Sequence, residues 1–165
     1  MKWFLFAAFF IICSCRSNSI FSPEQKGLLD LSEKFKTEYK DTSDSKGRRE
    51  LIGQYEIKLQ DYLRHSCAFI LDTVKVRVQK LELDPKGKLL AEFTDENCTY
   101  TVRRNCSTQT QMKSDSVYHL VSRLRENENV TLRLLFDGNI KVNEFENTST
   151  KPFNIEVTPT EIKKV

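Results

Sequence analysis

The hydrophobic pattern is most regular in the segment from Phe69 to Asp84. There Val74, Val76 and Val78 alternate with polar residues, which is the period of a strand with one buried face. The alternation then shifts by one residue and resumes at Leu81. Such a shift keeps the apolar side chains on one face only where an extra residue is accommodated, as in a β-bulge. We therefore predict one long, bent strand; two short strands joined by a kink are the alternative.

Four further alternating segments follow, with one helical segment among them. The sequence DPKG from Asp84 to Gly87 is typical of a turn, so a hairpin is expected after the first strand. Ser114 and Asp115 are expected to open a short helix after a polar loop at 105–113. Asp137-Gly138 is expected to break or kink the fourth strand, and Pro159 is a residue tolerated at the end of the fifth. The apolar positions of these elements are Leu89, Ala91 and Phe93; Cys98, Tyr100 and Val102; Val117, Leu120, Val121 and Leu124 of the helix; Val130, Leu132, Leu134 and Phe136; and Phe153, Ile155 and Val157.

Two amphipathic segments precede the strands, between residues 22 and 66. Ser22 and Gln25 match a capping box, in which Ser22 caps the first helix and the Gln25 side chain reaches back to it. Residues 41–47 separate this helix from a second one, so an α-hairpin is expected. Amphipathic helices usually bury their apolar face, so we expect the hairpin to pack on the domain; a partner-binding arm is the alternative. The apolar stripes are Leu28, Leu31, Phe35 and Tyr39, then Leu51, Ile52, Tyr55, Leu59, Tyr62 and Leu63.

The order of three strands, a helix and two strands, beginning with a long bent strand, is that of an OB-fold barrel. Over residues 69–163 the chain resembles the small OB-fold domains of bacterial envelope proteins and the tRNA-anticodon-like OB group. The resemblance lies in the element order and in the segments ENENVTLRLLFDG and FNIEVTPTEI. The predicted fold is α+β: an N-terminal α-hairpin followed by a five-stranded OB-type β-barrel, with one helix between strands 3 and 4.

The first twelve residues, MKWFLFAAFFII, carry one positive charge and then an unbroken apolar run. The run is shorter than the roughly 20 residues needed to span a bilayer and matches the apolar part of a secretory signal. Ile12-Cys13-Ser14-Cys15 resembles the lipobox of bacterial lipoproteins, with a branched residue three positions before the cysteine and a small residue one before. The resemblance implies that Cys15 carries a thioether-linked diacylglycerol and an N-acyl chain; Cys13 is the alternative. Several acyl chains give stable anchoring.

The resulting organisation is a signal peptide at 1–14, a lipidated tether at 15–21, a helical hairpin at 22–66 and the barrel domain at 67–165. With 165 residues, 39% of them hydrophobic, the chain has room for one domain with a real core. The expected location is the bacterial cell envelope, at the outer membrane. The expected partners are the lipid bilayer and an envelope or host protein; nothing in the sequence indicates an oligomeric state.

Four Asn-x-Ser/Thr sequons support a different interpretation, a soluble secreted glycoprotein. A second alternative is an OB-fold protein that binds single-stranded nucleic acid. Without residues 1–14 the chain has 25 basic residues against 23 acidic ones, a net charge of +2, which disfavours nucleic-acid binding driven by bulk charge. The sequons are at Asn97, Asn105, Asn129 and Asn147.

The outer face of strands 2 and 3 is the expected binding surface, because OB-folds use it for their ligands. Phe93 and Tyr100 fall in the core phase, so no aromatic ring is expected there for base stacking. Arg103 and Arg104 are candidates for contact with an anion. The loops around Asp84–Gly87 and Asn139–Lys151 are expected to flank the groove. The candidate residues of this face are Lys88, Glu92, Thr99, Thr101, Arg103 and Arg104, with Leu90 in the same phase.

No catalytic motif, Gly-rich phosphate loop or metal-binding pattern appears in the sequence. The chain has two histidines, His65 and His119, and His65-Ser66-Cys67 offers only two ligands without a partner cluster. We therefore expect a non-enzymatic binding or envelope-structural protein without cofactor or metal.

Three cysteines remain beyond the lipobox, an odd number for an oxidising compartment. Cys98 and Cys106 lie too far apart along an extended strand to pair. In the barrel order the third strand begins near the start of the first, so a disulfide between Cys67 and Cys98 is the first choice and Cys67 with Cys106 the second. Three buried thiols are the remaining possibility, since free cysteine is among the most buried residue types.

Overall fold

A computed structural model describes residues 21–145 and 150–165. Within them a pair of helices leads through one π-helical turn, Tyr62–Ser66, into a β-barrel, and two short helices separate its third and fourth strands. The helices are α1 (Pro23–Asp41), α2 (Ser45–Asp61), α3 (Gln109–Ser114) and α4 (Ser116–Val121), and the strands are β1 (Ile70–Leu83), β2 (Lys88–Thr94), β3 (Cys98–Asn105), β4 (Asn129–Val142) and β5 (Phe153–Lys164).

The five strands close into a barrel in the order β1-β2-β3-β5-β4, with β4 returning to β1. β3 and β5 run parallel, and the other pairs are antiparallel. This is the connectivity of an OB-type barrel, so the predicted α+β architecture is confirmed. The predicted signal peptide, lipobox and most of the tether fall at residues 1–20, outside the described residues.

β1 is one long strand with two irregularities of pairing. Its register with β2 shifts between Val78 and Lys80, where the sequence predicted a bulge. A second shift, between Leu71 and Val74 in the pairing with β4, was not predicted. Beyond the first bulge the apolar pattern is weaker than expected, since Leu83 is 40% exposed. β1 can therefore pair with both β2 and β4 while bending, which closes the barrel.

Non-glycine residues with positive φ cluster where the helices lead into β1. Ala68, Phe69 and Thr73 have φ of 47°, 62° and 54°. For residues with a Cβ this left-handed region costs roughly 1–2 kcal/mol each. The entry to β1 is therefore locally strained.

Replacing Ala68 by glycine is expected to raise the free energy of unfolding by about 0.5–1 kcal/mol, because relief of the left-handed strain exceeds the entropic cost of glycine. Urea denaturation followed by circular dichroism measures the change. Ala91→Gly is the control, because Ala91 is buried within β2 and has no positive φ, so glycine there should destabilise. Destabilisation by Ala68→Gly would contradict the assignment of strain.

The helical hairpin packs over the end of the barrel at which β3 and β5 begin. Phe35 of α1 lies 5.1 Å from Tyr55 of α2 and 6.1 Å from Phe153 at the start of β5, measured between ring centroids. Leu28 and Leu59 join the same cluster of buried residues as the barrel interior. The expectation that the helices pack on the domain is confirmed.

Three local predictions need correction. The Gln25 side chain does not complete a capping box, although Ser22 Oγ does accept a hydrogen bond from the Gln25 backbone N–H at 3.2 Å. Residues 105–113 are not all loop, since α3 begins at Gln109 and Asp115 caps the following α4. β5 does not end at Pro159; the register with β4 shifts there, and proline is tolerated at such a bulge.

The kink predicted at Asp137-Gly138 is present, as a register shift between Phe136 and Ile140 within a continuous β4.

No helix among residues 21–145 and 150–165 is both long and apolar enough to cross a membrane.

Candidate binding surface

The outer face of β2 and β3 is built from cross-strand pairs. Leu90 lies opposite Arg103, and Glu92 lies opposite Thr101. Lys88 and Arg103 are exposed, whereas Leu90, Glu92 and Thr99 are half-buried. These five residues of the predicted face are therefore accessible to solvent.

Thr101 is a correction, because only 2% of its surface is exposed. β3 is flanked by β5 as well as β2, and Thr101 pairs with Glu156 of β5. The Thr101 hydroxyl donates to Asn154 Oδ1 at 2.9 Å. Its side chain therefore joins β3 to β5 and is covered by its neighbours rather than offered to a ligand.

The Arg104 side chain is also held by contacts within the protein. Its Nη2 donates to the Thr158 hydroxyl at 2.7 Å, and that hydroxyl donates to Asp137 Oδ2 at 2.9 Å. Arg104 Nε lies 3.9 Å from Asp115 Oδ2, at the cap of α4. Arg104 therefore connects β3, β5 and α4, and the two adjacent arginines have different roles.

Arg103 and Lys88 are exposed basic residues of this face that are free to contact a ligand. Among the described residues, neither the Arg103 guanidinium nor the Lys88 ammonium makes a hydrogen bond or an ion pair. Arg103 lies between two grooves. It borders a groove of about 360 Å³ on the β2 side and a smaller one of about 140 Å³ on the β5 side. The larger groove is lined by Glu82, Asp84, Lys88, Leu89, Leu90, Arg103, Arg104 and Asn105.

The turn at Asp84–Gly87 forms one border of the larger groove, as predicted. Asp84 Oδ1 accepts from the Lys86 N–H at 2.7 Å, and Gly87 has a φ of 87°. A Cβ on Gly87 would lie 2.0 Å from the carbonyl oxygen of Cys106, so glycine is required for this close approach.

The second predicted border, the loop Asn139–Lys151, does not line the larger groove, and Asn139 borders only the smaller one. Asn139 lies within β4 and donates to Glu156 Oε2 at 2.7 Å. Residues 146–149 of the β4–β5 connection lie outside the described residues. The structure therefore places one predicted loop beside the groove and replaces part of the other by strand.

Phe93 and Tyr100 are fully buried, as the sequence phase predicted. Among the described residues, the outer face of β2 and β3 carries no aromatic ring on which a base could stack. Single-strand binding by OB-folds depends on such rings together with basic residues.

A polar cluster at the β2–β3 turn, in which Gln25 and Tyr100 are buried and Asp95 is half-buried, was missed by sequence reasoning. Asp95 accepts four hydrogen bonds: from the N–H groups of Asn97 and Cys98, from Gln25 Nε2 at 3.0 Å and from the Tyr100 hydroxyl at 2.9 Å. Gln25 also pairs with the backbone of Lys75. The cluster fastens α1 to the barrel, and its contacts span 50 and 70 residues, so no local pattern indicated it.

Cys67, Cys98 and Cys106 are free and buried in the structure. Neither predicted disulfide is formed. The three cysteines are buried thiols, which was the third possibility left open by the sequence. Burial raises the pKa of Cys67, and it raises the pKa of Cys98 well above the usual range. Burial, and after it the Asp115 carboxylate, raises the pKa of Cys106. Thiols of this kind are poor nucleophiles.

The described residues contain no group of three or more His, Cys, Asp or Glu side chains placed to hold a metal ion. His119 Nε2 lies 2.8 Å from the Lys113 carbonyl oxygen, in a contact that stabilises the α3–α4 junction.

The fold and the surface define an OB-type barrel protein with an N-terminal α-hairpin and a mixed polar groove beside Arg103. No family model, curated protein or solved structure matches the chain.

Proposed function

We propose that this protein is a membrane-anchored, extracytoplasmic lipoprotein that binds a partner without catalysis. The observation that carries the proposal is the lipobox-like Ile12-Cys13-Ser14-Cys15, which α1 follows after a short polar spacer. A lipid on Cys15 would hold the barrel close to a bilayer of the bacterial cell envelope, at the outer membrane, without a spanning helix.

The groove beside Arg103 is the proposed contact surface for an envelope or host protein. Arg103 has an exposed guanidinium, which suits a carboxylate on the partner. Leu90 contributes an apolar side chain in the middle of the same face. The raised thiol pKa values give no support to a catalytic role.

Metabolic labelling tests the lipid anchor. The full-length protein expressed in bacteria is expected to incorporate labelled palmitate and to partition into the detergent phase of a Triton X-114 extract. Cys15→Ala should lose both properties, because it removes the acylated sulfur. Cys13→Ala is the matched control and should keep both. Labelling lost in Cys13→Ala and kept in Cys15→Ala would move the anchor to Cys13. Absence of labelling from the wild type would exclude a lipoprotein.

The alternative, a secreted glycoprotein, is supported by the exposure of two of the four sequons. Asn105 and Asn129 are exposed. Asn97 is buried, and its side chain accepts a hydrogen bond from Lys36 Nζ, so this sequon is closed in the folded protein. Asn147 lies outside the described residues. A mass shift on glycosidase treatment of the native protein would favour this alternative. Nucleic-acid binding has less support, because Phe93 and Tyr100 are buried.

A further inference from the structure

An exposed apolar patch lies where β1 begins. Phe69, Ile70 and Leu135 are 39%, 39% and 41% exposed. Ile70 and Leu135 are register partners on adjacent strands, so their side chains are neighbours on the outer face. The Phe69 ring stacks on Phe136 with centroids 6.0 Å apart and planes within 8°. Ile70 and Leu135 therefore form an apolar pair on the outer face, and the exposed Phe69 ring lies next to them in the chain, against the buried Phe136.

The backbone holds Phe69 in a costly conformation. A bulky residue with positive φ is a genuine outlier, and such outliers persist only where the surroundings impose them. The Phe69 N–H donates to the Leu63 carbonyl oxygen, and the Phe69 carbonyl oxygen accepts from the Phe136 N–H, each at 2.9 Å. These two bonds fix a strained residue whose ring remains accessible from outside.

Basic side chains continue the same wall of the barrel. Lys75, Arg77 and Arg133 face outward from β1 and β4 and are exposed. Two exposed acidic residues lie beside Arg133: Asp72 Oδ2 is 3.9 Å from its Nε, and Glu161 is its register partner on β5. The wall therefore has an apolar end and a positively charged middle.

The chain leaves the folded body from this wall. Phe21, the first described residue, lines a groove of about 580 Å³ together with Lys75 and Arg77. Cys15 precedes Phe21 by six residues, which reach at most about 20 Å when fully extended. An anchor at Cys15 therefore keeps this side of the barrel next to the bilayer.

We infer that this membrane-facing wall, formed by Phe69, Ile70, Lys75, Arg77, Arg133 and Leu135, rests on the bilayer to which the protein is anchored. The inference depends on the proposed lipidation of Cys15. The apolar patch enters the interfacial region, and the basic residues lie against anionic headgroups. The groove beside Arg103 is lined mainly by β2 and β3 and touches β1 only near its last residues, so it stays available to a partner.

Lipid quenching of an introduced tryptophan tests this orientation. Phe69→Trp and Leu135→Trp are compared with Ile57→Trp, which places the probe at an exposed apolar position of α2, outside the wall. Each variant is expressed as the whole chain, and its acylated form, which begins at Cys15, is reconstituted into vesicles of phosphatidylethanolamine and phosphatidylglycerol that carry bromine on the acyl chains. The one tryptophan of the chain, Trp3, is removed with residues 1–14, so the processed wild type carries no tryptophan and provides the background.

The expected result is a blue-shifted emission and several-fold stronger quenching for the probes at 69 and 135 than for the probe at 57. Weaker quenching in vesicles of phosphatidylcholine alone is expected, since these lack anionic headgroups. Protein that floats with the vesicles but shows equal, weak quenching at all three positions would overturn the orientation and leave the anchor intact. Protein that does not float would overturn the anchor itself. A blue shift that appears without vesicles as the protein concentration is raised would show that the patch mediates self-association. That result would overturn the inference.

Discussion

Phe35→Ala is expected to lower the free energy of unfolding by about 3–5 kcal/mol, the usual cost of truncating a fully buried phenylalanine. Phe35 is fully buried and lies within 5.1–6.1 Å of three rings, those of Tyr39, Tyr55 and Phe153, measured between centroids. Two of these rings belong to the hairpin and one to the barrel. The substitution removes the aromatic contact that joins the two parts and leaves a cavity between them.

Urea denaturation followed by both far-UV circular dichroism and tyrosine fluorescence measures the loss. Lys34→Ala on the exposed side of α1 is the matched control and should change stability by less than about 0.5 kcal/mol. A loss below about 1 kcal/mol for Phe35→Ala would show that the hairpin contributes little to the core. Separate transitions for helices and barrel in the wild type would lead to the same conclusion.

Asp95→Ala is the second large effect, with an expected loss of about 3 kcal/mol or more, because hydrogen bonds to charged groups are strong and unpaired buried donors are costly. The Tyr100 hydroxyl loses Asp95 Oδ2 as its acceptor, and Gln25 keeps only its contacts with the Lys75 backbone. The β2–β3 turn also loses the oxygen that accepts from two of its N–H groups.

Asp95→Asn separates the two functions of the carboxylate. Its single carbonyl oxygen can still accept the two turn N–H groups, as Oδ1 does, but the amide nitrogen would face the Gln25 and Tyr100 donors. An intermediate loss of stability is therefore expected. Glu96→Ala, at the exposed neighbouring position, should be close to neutral. Equal stability of Asp95→Ala and the wild type would contradict the role given to this cluster.

The fold could be predicted from the sequence because its main signals are local. The alternation of Val74, Val76 and Val78, the DPKG turn and the Asp115 cap each depend on residues within a few positions. The order of the elements follows from these local patterns, and the closed barrel was expected because that order resembles an OB-fold. Pro159 shows the limit of local rules: proline marks a disruption of pairing, and here the disruption is a bulge within β5 rather than its end.

The binding surface was predicted less completely, because exposure depends on what covers a strand. The phase of Thr101 correctly points outward, but β5 lies beside β3 and covers it. Arg103 and Arg104 are adjacent in sequence, but only the Arg103 guanidinium is free. Arg104 contacts Thr158 and Asp115, which lie in other elements and could not be identified from the local sequence. The left-handed backbone of Phe69 has no sequence signal, as glycine or asparagine would be the usual residue there.

The mass of the N-terminal peptide, obtained from protein extracted with detergent from its native membrane, tests the central proposal most directly. A peptide that begins at Cys15 and carries diacylglycerol and a further acyl chain is the predicted result. An unmodified N-terminal peptide, accompanied by hexose-containing mass on the peptide with Asn129, would contradict the account and identify a secreted glycoprotein instead.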